Sequence, residues 1–307
     1  MNQIKLPVHQ MREALGALHQ KAQDPQWLRD NNRSAQAIVH RSKEAFYGYE
    51  PYNNKVDGLP SWQWKFLEAA GKYKARIALG GNRIGKSIMG AYECWLAITG
   101  KHPYREFPAK GKLWICATSY GKIQDINLPK FEMFMPSRYR AQSRYNKQEK
   151  IWWIRGDDRE WKVQLKSAES GRRAFEGDDI DVMWFDEEMP EEIYTECMIR
   201  LIDRRGVWWM TATPVLGTAW LKAKTEDEKI FDVYGSMWNN PYLPVEEIEA
   251  AAKDMTEEEK LVRIEGRYLI MGGKPVFDVI SLMRTLEELK DRDKHPTGIR
   301  GTLLEVT

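Results

Sequence analysis

The sequence predicts an α/β chain, a P-loop NTPase fold with a central, mainly parallel sheet flanked by helices and a helical segment ahead of it. Three observations predict it. Residues 80–87, GGNRIGKS, fill every position of the pattern G-x-x-x-x-G-K-[ST] and lie between an apolar strand at 74–79 and an apolar helix at 87–99. Residues 180–188, IDVMWFDEE, read as an apolar strand that ends in adjacent acids. Further apolar strands at 112–117 and 206–210 alternate with helical patterns, the order that a sheet of about five parallel strands requires.

Taken in order, the chain begins with apolar residues at helical spacing (Met11, Leu15, Leu18), and a second helix is expected over 34–46. Residues 48–54 are rich in turn formers and read as a connector. Ser61 is placed to cap a short helix after Pro60, and that helix carries Gln63 just upstream of the loop strand. An amide there offers both a donor and an acceptor, the pair needed to read adenine; an ordinary surface glutamine is the alternative.

The loop has a physical logic. Gly80, Gly81 and Gly85 let the backbone curl, so that the N–H groups of the stretch Asn82, Arg83, Ile84 and onward face a polyphosphate at the positive end of the following helix. Lys86 is expected to reach the β- and γ-phosphates and Ser87 to hold Mg²⁺. After the second strand, Thr118-Ser119-Tyr120 leads into a helix to about Phe134. Residues 137–147 interleave basic and aromatic side chains, which suits either a phosphate backbone or a solvated loop. Residues 151–155 and 161–166 flank Gly156-Asp157-Asp158, a hairpin signal.

In the acidic strand, Asp186 is expected to support the metal and Glu187, projecting the other way, to act as general base on water; Glu188 is the alternative base or a helix N-terminal acid. The next strand ends in Thr211-Ala212-Thr213-Pro214, whose hydroxyls could bond the acids and report the γ-phosphate; a plain strand-ending turn is the alternative. Arg172 and Arg173, just ahead of the acids, are candidates to stabilise transition-state charge in cis or in trans.

Composition bounds the rest. The 307 residues suit one large or two modest domains, 30% are charged, and mean hydropathy is -0.62, so no membrane segment is expected. The first residues lack the apolar core of a signal peptide. Cys94, Cys116 and Cys197 lack paired spacing and are expected to be buried thiols in a reducing cytoplasm. A net charge of +2 neither demands nor excludes nucleic acid. Many of the thirteen tryptophans fall in predicted strands, and most are expected in the core rather than as base-stacking platforms.

The ordered set Gln63, GGNRIGKS, SGRRAFEG, WFDEE and TATP resembles the large terminase subunit of tailed bacteriophages, motif by motif over residues 60–215 and loosely to 277. The resemblance implies an ASCE, RecA-like core in an ATP-hydrolysing motor that pumps double-stranded DNA into a procapsid. It implies ATP and Mg²⁺ at Lys86, Ser87 and Asp186, water activation by Glu187, and coupling through Thr211 and Thr213. Arg83 stands one place after the usual P-loop arginine, whose position here is Asn82, and the trans-acting arginine of some relatives would fall near Glu176. Also implied are a portal protein and a small terminase subunit as partners, a homo-oligomeric ring on the portal, and a place in the host cytoplasm and transiently on the procapsid.

The expected divisions are a helical segment at 1–55, the ATPase core at 56–240, a helical linker or lid at 241–275, and the start of a nuclease-like domain at 276–307. A two-lobed helicase and a nucleotide-dependent switch are the competing readings. The first would need a second lobe with an arginine finger, and the second has no use for a base at Glu187.

Overall fold

In a computed structural model, eight strands form one sheet in the order β3-β4-β5-β2-β6-β7-β1-β8. The structure describes residues 44–49, 51 and 61–268, which fall in one compact unit. The helix expected near Met11, most of the one at 34–46, most of the connector and everything past 268 lie outside the described residues.

The elements follow in chain order. α1 (Ala45–Gly48) and α2 (Trp62–Ala69) precede β1 (Ala75–Gly80) and α3 (Lys86–Thr99). Next come β2 (Lys110–Ala117), α4 (Tyr120–Lys122), a π turn (Ile123–Asn127), α5 (Leu128–Met133) and α6 (Ser137–Arg140). The sheet is extended by β3 (Arg144–Asn146), β4 (Ile151–Gly156) and β5 (Arg159–Ser167). Then follow β6 (Val182–Asp186), α7 (Glu191–Arg200), β7 (Val207–Ala212), α8 (Ala219–Thr225), β8 (Ile230–Gly235), α9 (Val245–Lys253) and α10 (Glu257–Arg263).

The parallel part has six strands rather than about five, because β8 adds to the outer side of β1 and β5 to that of β2. β4 and β3 then run antiparallel at that edge. The hairpin between β4 and β5 turns on Asp157 and Asp158, both left-handed at φ 51 and 60, as a two-residue primed turn demands.

Alternation along each strand divides the core. Val182 and Trp184 of β6, with Trp209 of β7, face α3 and α5, while Met183, Phe185, Trp208 and Met210 face α7 and α8. The three thiols are buried as expected. So are most of the described tryptophans, although Trp153 and Trp238 are exposed. Among the described residues no helix is long and apolar enough to cross a membrane.

Candidate active site

The site forms at the carboxyl ends of β1, β6 and β7, which the parallel registers bring level with one another. β1 ends at Gly80, and Gly85, at φ 83, makes the turn into α3 that a side chain would strain. Gly81 is needed for a different reason. A Cβ there would stand 2.1 Å from the carbonyl oxygen of Ile264, so the chain after α10 packs directly on the loop. A hydrogen bond fixes that contact, Asn82 N–H donating to Arg263 O (2.6 Å), and Asn240, between β8 and α9, adds a second hold on the loop by donating its Nδ2 to Arg83 O (2.7 Å).

Lys86 is buried, and its ammonium donates to the carbonyls of Gly80 (3.0 Å) and Gly81 (2.6 Å). Burial pushes its pKa down to about 8, with Glu187 and Asp186 acting the other way. Ser87 is half-buried at the start of α3, and Arg83 is exposed at φ 57.

Asp186 closes β6 on the face that Trp184 shares, toward α3 and α5. Each of its oxygens accepts one bond: Oδ1 from Thr211 Oγ1 (2.8 Å) and Oδ2 from Asn127 Nδ2 (2.7 Å). Thr211 Oγ1 in turn accepts from the Trp184 indole N–H (2.8 Å), which aims its own proton at the acid. That indole lies against Gly90 of α3, where an added Cβ would come within 2.3 Å of Nε1. Gly90→Ala is therefore expected to destabilise the fold by about 1–3 kcal/mol and to displace the Trp184–Thr211–Asp186 chain. A denaturant midpoint equal to that of wild type would contradict this packing.

Glu187 takes a left-handed backbone at φ 83, a strained conformation that turns it off the strand's alternation. Its N–H donates to Thr211 O (2.9 Å), and its Oε2 accepts from Thr213 N–H (3.2 Å). Thr213 Oγ1 donates to Asn82 Oδ1 (3.3 Å), so one threonine joins the acid loop to the P-loop. Burial and the charge of Asp186 raise the Glu187 pKa, with Lys86 opposing. Glu188 turns instead to the Thr218 hydroxyl, and burial lifts it to about 7.

Gln63 is buried on α2, beside β8, and its Oε1 accepts from Tyr49 (3.0 Å). Arg172 is paired with Glu196 of α7 (3.0 Å), and Arg173 is exposed; no bond among the described residues ties either to the P-loop or the acids. The sequence reading missed Asn127. The helix from Tyr120 widens into a π turn just before Pro129, which has no N–H to give to a carbonyl four residues back. That turn sets Asn127 on Asp186, and no periodicity announces it.

The donor set fits Mg²⁺. Asp186 retains lone pairs beyond its two bonds, and a half-buried serine hydroxyl stands at the helix start. Among the described residues no group of three or more His, Cys, Asp or Glu could hold a metal by itself.

Known proteins resemble this chain in sequence and fold. Residues 77–229 match the family model for the terminase large subunit, T4likevirus-type, N-terminal. The large terminase subunit of Salmonella phage P22 is 23% identical, over 78% of this chain and 54% of its own length. Among solved structures, the large terminase of a thermophilic bacteriophage superposes with a TM-score of 0.59 at 15% identity, over 75% of this chain and 57% of that one. The same terminase has also been solved in complex with ADP. The ATPase domain of the Thermus phage P74-26 large terminase gives 0.58 at 15% identity, over 73% of this chain and 96% of that one. The chain thus spans little more than half the length of the first two relatives. The shared fold is the P-loop NTPase fold of large terminase ATPase domains, and with residues 77–229 matching the family's N-terminal domain, the chain belongs to the phage terminase large subunit family.

Proposed function

We propose that the chain is the ATP-hydrolysing motor of a phage DNA-packaging machine, driving double-stranded DNA into a procapsid. The observation that carries this is the relay in which Thr213 bonds both Glu187 and the P-loop residue Asn82, while Thr211 bonds Asp186. A hydrolytic base is thereby tied to the loop that would sense the phosphates.

In this reading Lys86 exchanges the carbonyls of Gly80 and Gly81 for the β- and γ-phosphates, joined by the backbone N–H groups from Arg83 to Ser87. Mg²⁺ held by Ser87 and Asp186 would neutralise charge on the phosphate oxygens. Thr211 and Asn127 hold the Asp186 carboxylate in place. Glu187 takes the proton of the attacking water, in a position where Thr213 N–H fixes its carboxylate. The raised pKa of Glu187 makes it a better proton acceptor than a solvated glutamate.

Loss of the γ-phosphate would free Thr213 and the Asn82–Arg263 contact to shift together, carrying hydrolysis to the segment at 241–275, the proposed lid after the core at 56–240. Gln63 reads the adenine, and Arg83, Arg172 or Arg173, in cis or from a neighbour, supplies transition-state charge. Assembly would be a ring on the portal protein, with the small terminase subunit as partner and a place in the host cytoplasm. The family membership and the ADP complex of the thermophilic phage relative support the nucleotide part of this reading.

The experiment is steady-state ATP turnover by the purified chain with no DNA, single-stranded DNA or duplex DNA. Stimulation by duplex alone is expected. Stimulation by single strands alone would point to a helicase, and tight ATP binding without turnover to a switch.

A further inference from the structure

Lys130 is the one basic side chain of α5, three residues after Asn127 and therefore on the same helical face. Asn127 is fully buried, with its Nδ2 on Asp186 at 2.7 Å, so that face looks at the acids. Long side chains on a helix point back toward its N-terminus, which directs the Lys130 stem toward Asn127 and the end of β6. Lys130 is half-buried as a residue and makes no ion pair or hydrogen bond among the described residues. Burial lowers its pKa, while Asp186 and Glu187 act to raise it and Arg83 to lower it; it is also one of the charges that Lys86 feels. A second basic residue thus follows on the helix face that Asn127 turns to Asp186, and no bond among the described residues ties it to Asp186 or Glu187.

Resting on the motor reading above, we propose that Lys130 contacts the terminal phosphate of bound ATP, as a second lysine beside Lys86, carried into the site by the π turn before Pro129. The chemistry is that of a point charge with three donors meeting an oxyanion that ATP has and ADP lacks. A lysine that merely neutralised Asp186 and Glu187 would affect both nucleotides alike. Asn127 is a positioning residue, acting through Asp186.

The test is equilibrium binding of ATPγS and of ADP, each with Mg²⁺, to wild type, Lys130→Ala, Lys130→Arg and Lys86→Ala. Lys130→Ala is expected to weaken ATPγS about tenfold, to leave ADP within about twofold, and to recover most of the loss as Lys130→Arg. Unchanged ATPγS affinity, or equal weakening of both nucleotides, would overturn the assignment while Lys86→Ala still loses both. Failure of wild type to bind either nucleotide would overturn the motor reading along with it. Thermal melts of the variants separate a folding defect from a lost contact, and an unfolded Lys130→Ala would leave Lys130→Gln to give the same answer.

Discussion

Glu93→Ala is expected to lower folding stability by about 3–5 kcal/mol, because it strips the partner from a buried arginine. Arg76 of β1 makes a bidentate pair with Glu93 of α3 at 2.7 and 2.8 Å, both side chains being sealed from solvent. Its guanidinium also donates to Phe66 O (2.7 Å) and lies over the rings of Phe66 and Trp209. His102 Nε2 stands 3.1 Å from the second Glu93 oxygen. The cluster clamps the strand that runs into the P-loop to the helix that leaves it, so its loss should loosen both. Denaturant unfolding measures the effect, and Glu93→Gln, which keeps the shape but not the charge, should also destabilise.

The same pair carries a pH dependence. Burial alone would raise the Glu93 pKa, but Arg76 and His102 outweigh it and hold the group at about 2. A carboxylate lowered from about 4.5 stabilises the fold fully above that pH and loses the contribution as pH falls toward 2. Wild type should therefore lose stability between those values more steeply than Glu93→Gln. Parallel acid titrations of the two would contradict the assignment.

Glu187→Gln is expected to lower ATP turnover by about 10²–10⁴-fold while leaving ATP affinity within a few-fold of wild type. Glutamine retains an oxygen for Thr213 N–H, so the loop should survive, but it cannot take a proton from water. Glu188 makes an internal comparison, because its carboxyl is turned to Thr218 rather than into the field of Lys86. Glu188→Gln should therefore cost much less turnover. A larger loss there than at Glu187 would reverse the two roles.

Much of this arrangement was legible in the sequence because strand-ending motifs are local. GGNRIGKS, the acids after Phe185 and the threonines after Met210 each follow an apolar run, and parallel pairing aligns such ends without further information. The short helix that carries Gln63 and the hairpin at Asp157 were readable for the same reason. What escaped was set by long-range packing. Asn127 reaches Asp186 through a π turn that no hydrophobic period marks, and Lys130 follows it on the same face. The contact of Arg263 and Ile264 with the P-loop joins residues far apart in the chain, and Arg172 was drawn to Glu196 by α7, an element whose placement no motif discloses. The sixth parallel strand was missed because β8, with an intermediate pattern of burial, reads less clearly than the strands inside the sheet.

The most direct test of the proposed motor site is Mg²⁺-dependent phosphate release from ATP by wild type and by Lys86→Ala, in the presence of duplex DNA and with bound nucleotide measured in the same samples. Wild type should turn over and stop when Mg²⁺ is withheld, and Lys86→Ala should lose both binding and turnover. Phosphate release by Lys86→Ala at the wild-type rate, or ATP bound by wild type and returned intact with Mg²⁺ present, would contradict that assignment.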